Sequence, residues 1–315
     1  MKRTLVTGGA GFIGSHLVEA LVKEGREVLV FDDFSTGKIE NIPDSKLVHV
    51  VKGDISDRFQ VENLFKKYRF DTVFHLAAIA SVVKSVENPE ETHKTNFDGT
   101  LYLLQESVKY GVIRFIFASS AAVYGDLPGL PKKETDPVKP LTPYAVDKYA
   151  SERYVINAYE LYGLKTTALR FFNVFGPRQD PSSPYSGVIS IFVDRVIRNL
   201  KGEKVAITVF GDGKQTRDFI FVKDVVKALL LVERCHEAVG RVFNVGTGKA
   251  TSLLDLLDYL AKIAGKLPPI HFEPPRKGDI KHSLADISEL KKLGFSPSFT
   301  AQEGLKLLFE WEMEK

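Results

Sequence analysis

The chain has 315 residues, 44% hydrophobic and 26% charged, with a formal net charge of +3. That length suits about two domains of roughly 100–200 residues around a large core, and so small a charge, with no dense Lys/Arg tract, gives no footprint for a nucleic acid partner. The single Cys235, read as a packing residue, excludes an internal disulfide and a cysteine-based metal cluster and fits a reducing compartment; no metal ligand set stands out, Met1 leads straight into a strand, and no apolar run reaches the roughly 18 residues of a membrane span, so a cytoplasmic protein with no membrane partner is expected.

Thr4–Thr7 reads as a strand, followed by the glycine turn Gly8-Gly-Ala-Gly11-Phe12-Ile13-Gly14 and an amphipathic helix from Ser15 to about Lys23. Gly8 permits the tight turn, Gly11 lets a pyrophosphate approach the backbone, and Gly14 lets the helix pack closely on the strand. Phe12 and Ile13 belong to the same cofactor-binding loop. A second strand, Glu27–Phe31, delivers Asp32, whose carboxylate can accept hydrogen bonds from an adenosine ribose and argues for NAD over NADP. Leu47–Val51 is a strand ending near Gly53-Asp54-Ile55; Asp54 can meet the adenine, while a helix N-cap at Asp54 or Ser56 is an equal reading. A helix from about Arg58 to Tyr68 and the strand Thr72–Leu76 follow. Small residues Ala77–Ala80 at that strand end leave room for a cofactor, or equally pack tightly. The alternation of strand and helix predicts an α/β fold, a Rossmann-like doubly wound parallel sheet whose ligands sit at the strand carboxyl ends.

Glu91–Tyr110 reads as one long amphipathic helix, and Arg114–Ala118 as a strand ending at Ser119-Ser120-Ala121-Ala122-Val123-Tyr124-Gly125. A hydroxyl there can bond a reacting oxygen, or simply form a turn. Thr142 suits an N-cap, Pro143 the first helical position and Gly163 a stop, so Tyr144 and Lys148 share one helical face. A phenol beside an ammonium can serve as a general base; the same spacing also describes one packed and one solvated side chain. Thr166–Phe172 is the next strand. The NAD-binding domain therefore spans 1–175, with a possible return strand near 241–246, and 176–315 forms a smaller mixed α/β lobe.

The glycine loop, the Asp54 segment, Ser119-Ser120 and Tyr144-x-x-x-Lys148, in this order, resemble the extended short-chain dehydrogenase/reductase superfamily over essentially the whole chain. Within it the likeness is to nucleotide-sugar epimerases of the UDP-glucose/UDP-N-acetylglucosamine 4-epimerase type. The resemblance implies bound NAD, a UDP-sugar substrate, Tyr144 as base and acid on the sugar 4-hydroxyl, Lys148 on the nicotinamide ribose and lowering the tyrosine pKa, and Ser120 sharing the hydroxyl proton. It also implies UDP contacts from Asn173, Arg217 and Arg276 to the diphosphate and Asp279 to the uridine ribose. Ser283 falls where a large residue would exclude an N-acetyl group. The related 4,6-dehydratases carry an Asp-Glu pair where this chain has Ala121 and Ala122, and decarboxylases a glutamate at the second place, so elimination is disfavoured. A UDP-glucuronate 4-epimerase would use the same machinery, and a silent NAD-binding scaffold would not need Ser120, Tyr144 and Lys148 together. The resemblance further implies a homodimer through helices near 91–110 and 142–163, with Leu101, Leu104 and Val108, or Val155 and Tyr159, at the interface or facing the sheet.

Overall fold

A computed structural model describes residues 3–180, 187–275 and 280–315. In chain order its elements begin β1 (Arg3–Thr7), α1 (Phe12–Lys23), β2 (Glu27–Asp32), β3 (Val48–Lys52), α2 (Arg58–Lys67) and β4 (Thr72–His75). Two short helices, α3 (Val82–Glu87) and α4 (Pro89–His93), run into a π-helical turn over Lys94–Asp98, then α5 (Gly99–Lys109), β5 (Arg114–Ser120), α6 (Pro143–Tyr162) and β6 (Lys165–Phe171). The remainder is β7 (Asn173–Phe175), α7 (Val188–Leu200), β8 (Ile207–Phe210), β9 (Thr216–Arg217), β10 (Phe219–Phe221), α8 (Val222–Arg234), β11 (Arg241–Val245), β12 (Thr251–Ser252), α9 (Leu253–Ala264), β13 (Ile270–Glu273), α10 (Ser288–Lys292) and α11 (Ala301–Met313).

Seven strands make one parallel sheet in the order β11-β6-β5-β4-β1-β2-β3. Side chains alternate across it, so both faces must be covered by helices. Leu5, Phe115 and Phe117 pack with Val61, Phe65, Leu103 and Val155 of α2, α5 and α6. Val6, Ile116 and Leu169 pack on the other face with Leu17, Leu21, Val225 and Leu229 of α1 and α8. Each such fully buried side chain contributes on the order of 2 kcal/mol. Strand order reverses between β1 and β4, which opens a crevice at their carboxyl ends.

The chain beyond residue 175 divides between two layers. β11 joins the sheet as its edge strand beside β6 and α8 packs on its face, whereas α7, α9 and α11 enclose a separate core with β8 and β10, built on Phe192, Val209, Phe221, Leu256 and Leu308. Among the described residues the named strands of this smaller lobe pair two by two, β7 with β10, β9 with β12 and β8 with β13.

The single helix expected over Glu91–Tyr110 is interrupted. At the π turn both backbone groups of Ile79 bond the Asn96 side chain, at 2.8 and 3.0 Å, which draws this turn toward β4. The Asn96 carbonyl instead accepts from Thr100 Oγ1 at 2.7 Å and Ser151 Oγ at 2.9 Å. Leu104 and Val155 are buried under the sheet and are not surface residues, because their helix faces carry the core; Val108 and Tyr159 are exposed, and Leu101 is half-buried. Among the described residues no helix is long and apolar enough to cross a membrane.

Candidate active site

The glycine loop is shaped by contacts that only glycine permits. Gly8 has φ of +69°, and a Cβ on it would lie 2.7 Å from the Ala77 nitrogen. At Gly14 a Cβ would lie 2.0 Å from the Gly8 oxygen, so α1 rests directly on the turn. Gly11 caps α1 with no side-chain hydrogen bond, which leaves first-turn N–H groups at the positive helix end. The buried Asp32 carboxylate accepts from the Ala10 and Phe34 nitrogens, each at 2.9 Å. Burial pushes its pKa above the usual carboxylate range, against the pull of those two bonds.

A cleft of about 570 Å³ runs from this loop along the strand ends. Gly8, Gly11, Phe12, Ile13, Gly14 and Asp32 line one end. Asp54, Ile55 and Ala77 line its side, and Ser120, Tyr144, Lys148 and Asn173 the other end. Asp54 does not cap α2: it folds back on Ser56, accepting from its N and Oγ at 2.8 Å each, and Asp57 is the N-cap.

The first turn of α6 aims Tyr144 into the cleft. Thr142 accepts from the Ala145 nitrogen at 3.3 Å, Pro143 occupies the first turn, and Gly163 closes the helix at φ of +72°. Lys148, one turn on, is buried, donates to the Ala118 carbonyl at 2.9 Å and lies 4.9 Å from the Phe117 ring centre. Ser120 Oγ accepts from the Ala122 nitrogen at 3.2 Å, and Ser120 and Tyr144 line the same end of the cleft, where the serine hydroxyl acts to lower the phenol pKa. Its neighbour Ser119 is differently engaged, donating to Glu152 at 2.7 Å.

The largest influence on the Tyr144 phenol is burial rather than Lys148. Burial raises the Tyr144 phenol above its ordinary value, opposed by the Ser120 bond. Lys148 itself is pushed down to about 7, because desolvation outweighs the attraction of Asp147. In the protein alone, loss of water is the larger effect at both groups.

Residues 4–246 match the family model described as the NAD dependent epimerase/dehydratase family. The chain belongs to that family. It is 42% identical to the UDP-glucose 4-epimerase of Thermotoga maritima solved with UDP-glucose, covering 99% of each chain at a TM-score of 0.92. It is 40% identical to the UDP-N-acetylglucosamine 4-epimerase of Methanobrevibacter ruminantium in complex with UDP-N-acetylmuramic acid, covering 99% of this chain and 98% of that one, again at a TM-score of 0.92. A UDP-N-acetyl-alpha-D-glucosaminuronate decarboxylase of Bacillus cytotoxicus is 35% identical over 334 residues, 99% of this chain and 98% of that protein.

The cradle suits the cofactor of the NAD-dependent epimerase/dehydratase family. Close-packed glycines under an uncapped helix end offer N–H donors to a pyrophosphate, and Asp32 offers a carboxylate one strand away. Not every expected substrate residue reaches this cleft. Arg217, half-buried on β9, donates to the carbonyls of Thr216 at 2.9 Å and Lys281 at 3.3 Å, and the Ser283 nitrogen bonds the Thr216 carbonyl at 3.0 Å. Neither Arg217 nor Ser283 lines the cleft, and Arg276 and Asp279 lie outside the described residues. A residue missed in the sequence is Asp218. Fully buried, it accepts from Thr247 N and Oγ1 at 2.7 Å each, Gly248 N at 2.9 Å and Ala285 N at 3.2 Å, so it ties β9 to the segment that carries Ser283. No local signal marks an acid whose donors are so distant in sequence.

Lys148 gives this family member a testable cost. Its pKa is lower folded than unfolded, so its penalty to stability is fully present below the folded value of about 7 and fades as pH rises toward the ordinary lysine value. Lys148→Met in NAD-stripped protein should raise unfolding free energy by about 1–3 kcal/mol near about pH 6 and by less near about pH 9. Denaturant titrations at both pH values check this; equal gains would mean the ammonium is not depressed.

Proposed function

We propose that this chain interconverts the C4 epimers of a UDP-hexose, UDP-glucose with UDP-galactose and also UDP-N-acetylglucosamine with UDP-N-acetylgalactosamine. The observation that carries this reading is the convergence of Ser120, Tyr144 and Lys148 at the end of the glycine-loop cleft, with Ala121 and Ala122 following Ser120. Those alanines have no proton to give or take, which favours a reversible oxidation over elimination. NAD, held by the glycine loop and Asp32, would supply the hydride acceptor for oxidation at C4 and the hydride donor for its reduction. Tyr144 takes the 4-hydroxyl proton as the ketone forms and gives it back on reduction. Ser120 hydrogen-bonds the reacting oxygen and the tyrosine, and Lys148 orients the nicotinamide ribose.

In the same proposal the sheet, residues 1–175 with Arg241–Val245, holds the cofactor, Asn173 meets the UDP group at the end of the cleft, and the UDP group extends beyond the cleft to Arg217, Arg276 and Asp279 of the smaller lobe. Arginine suits this task because its planar fork engages phosphate oxygens in pairs. A second copy of the chain docks on α5 and α6, whose exposed Val108, Val146, Tyr154 and Leu161 supply apolar surface. A cytoplasmic location follows the same reading and rests on the single Cys235.

Denaturing the purified protein and assaying the supernatant should yield NAD. UDP-galactose, UDP-N-acetylgalactosamine and UDP-glucuronate are then offered separately; no turnover of any of them with NAD present overturns the assignment, and turnover of UDP-glucuronate alone replaces the substrate. Ser283→Tyr should lower kcat/KM for the N-acetylated substrate by about 10–200-fold, and for UDP-galactose by less than about threefold. Equal losses on both would remove the gating role.

A further inference from the structure

Tyr144, Lys148 and Glu152 stand one helical turn apart on a single face of α6. That face meets the last three residues of β5. Lys148 donates to the Ala118 carbonyl at 2.9 Å, Ser119 Oγ donates to Glu152 Oε2 at 2.7 Å, and Ser120 and Tyr144 line the cleft together. The deepest of these contacts is anchored by a charge. Arg170 on β6, paired in register with Ser119, grips Glu152 with both arms of its fork, Nε to Oε2 at 2.9 Å and Nη2 to Oε1 at 2.7 Å. Glu152 is 1% exposed and Arg170 4%. The third arm of the fork donates to the Tyr124 hydroxyl at 2.8 Å, which donates to Asn244 on β11 at 2.7 Å.

Burying such a pair costs desolvation that its attraction barely offsets, and an apolar pair of the same volume is often as stable. What a bidentate, fully satisfied pair supplies is direction. Neither residue lines the cleft, so neither can touch a substrate there. We propose that Glu152, clamped by Arg170 and bonded to Ser119, is a positioning residue that sets the spacing between Ser120 and Tyr144. Ser119 and Ser120 are consecutive, and Tyr144 and Glu152 lie on one rigid helix, so a fixed Ser119 to Glu152 contact fixes the other end of the lever. This rests on the reading of Ser120 and Tyr144 as the proton-transfer pair.

Two variants test it, Glu152→Gln, which keeps shape and loses the charge, and Ser119→Ala, which leaves the ion pair intact. The first readout is turnover of UDP-galactose per NAD-loaded site. Displacement of a reacting group by a fraction of an ångström to about 1 Å should lower kcat by about 10–100-fold in Glu152→Gln and about 3–10-fold in Ser119→Ala, with KM within about threefold. The second is the near-ultraviolet titration of the Tyr144 phenol, taken as the difference between each protein and its Tyr144→Phe counterpart. It should move to higher pH in both variants, as the Ser120 bond weakens. This readout needs no turnover, so an unaltered protein that is inactive would end the epimerase reading without deciding the clamp. If Glu152→Gln fails to fold, Ser119→Ala decides alone. Folded variants with unchanged kcat per loaded site and an unchanged phenol titration, or a loss of stability alone, overturn the proposal.

Discussion

Tyr144→Phe should leave NAD bound and lower 4-epimerisation by about 10²–10⁴-fold, the range lost with a general acid–base group. The ring of Tyr144 stays in place in this variant, so α6 keeps its packing and Lys148 keeps its bond to the Ala118 carbonyl at 2.9 Å. Only the hydroxyl is removed. Ser120 cannot substitute for it, because an aliphatic hydroxyl is a far weaker acid than a phenol, and the next two residues are alanines. The pH dependence has a definite sign. Burial holds the Tyr144 phenol above its ordinary value, so its phenolate grows as pH rises and turnover should increase along an alkaline limb. That limb should vanish in Tyr144→Phe. Ser120→Ala should shift it to higher pH, since the Ser120 hydrogen bond is the influence that lowers the phenol's pKa. Retained NAD with near-native turnover in Tyr144→Phe would remove the tyrosine from the mechanism.

The parts of this site that could be read from the sequence are those whose causes are local. A strand, a glycine turn and a helix within two dozen residues specify their own geometry, and Thr142, Pro143 and Gly163 mark the limits of α6 where the structure has them. Asp32 and Ser120 belong to the same class, as residues at the ends of strands in a parallel sheet. Ser119 beside Ser120 does not. Which serine hydroxyl is tied to the buried ion pair depends on Glu152 and Arg170, 33 and 51 residues away in the chain, and no periodicity encodes that pairing. Asp218 was hidden for the same reason. The net rise at Tyr144 and the fall at Lys148 were not legible for a related cause: spacing predicts proximity of the two groups but not the loss of water around both. The π turn at Lys94–Asp98 replaces a regular helix where the Asn96 side chain bonds the backbone of Ile79, a residue outside its own helix.

Gly14→Ala should abolish retention of NAD, and it separates the cofactor cradle from the rest of the fold. A methyl at this position would lie 2.0 Å from the Gly8 oxygen, 2.8 Å from the Gly8 carbonyl carbon and 2.8 Å from the Gly9 Cα. All three are backbone atoms, and Gly8 cannot retreat. Its nitrogen donates to the Phe31 carbonyl at 3.0 Å, and its own Cα faces the Ala77 backbone too closely for a side chain. Helix α1 must therefore lift from β1, carrying the first-turn N–H groups away from the position of the phosphates and opening the Leu17 and Leu21 contacts with α8. Overpacking of this kind costs about 1–3 kcal/mol or more, and the displaced helix end loses a further part of its anion site. Gly25→Ala is the matched control, because Gly25 ends the same helix at φ of +73° with nothing within 4 Å of the added methyl. It should cost about 1–2 kcal/mol through backbone strain alone and leave NAD in the purified protein. Supernatant NAD after denaturation and the unfolding midpoint measure both effects. A Gly14→Ala protein with full NAD content and a stability loss no larger than that of Gly25→Ala would mean that α1 is not seated on the turn as described.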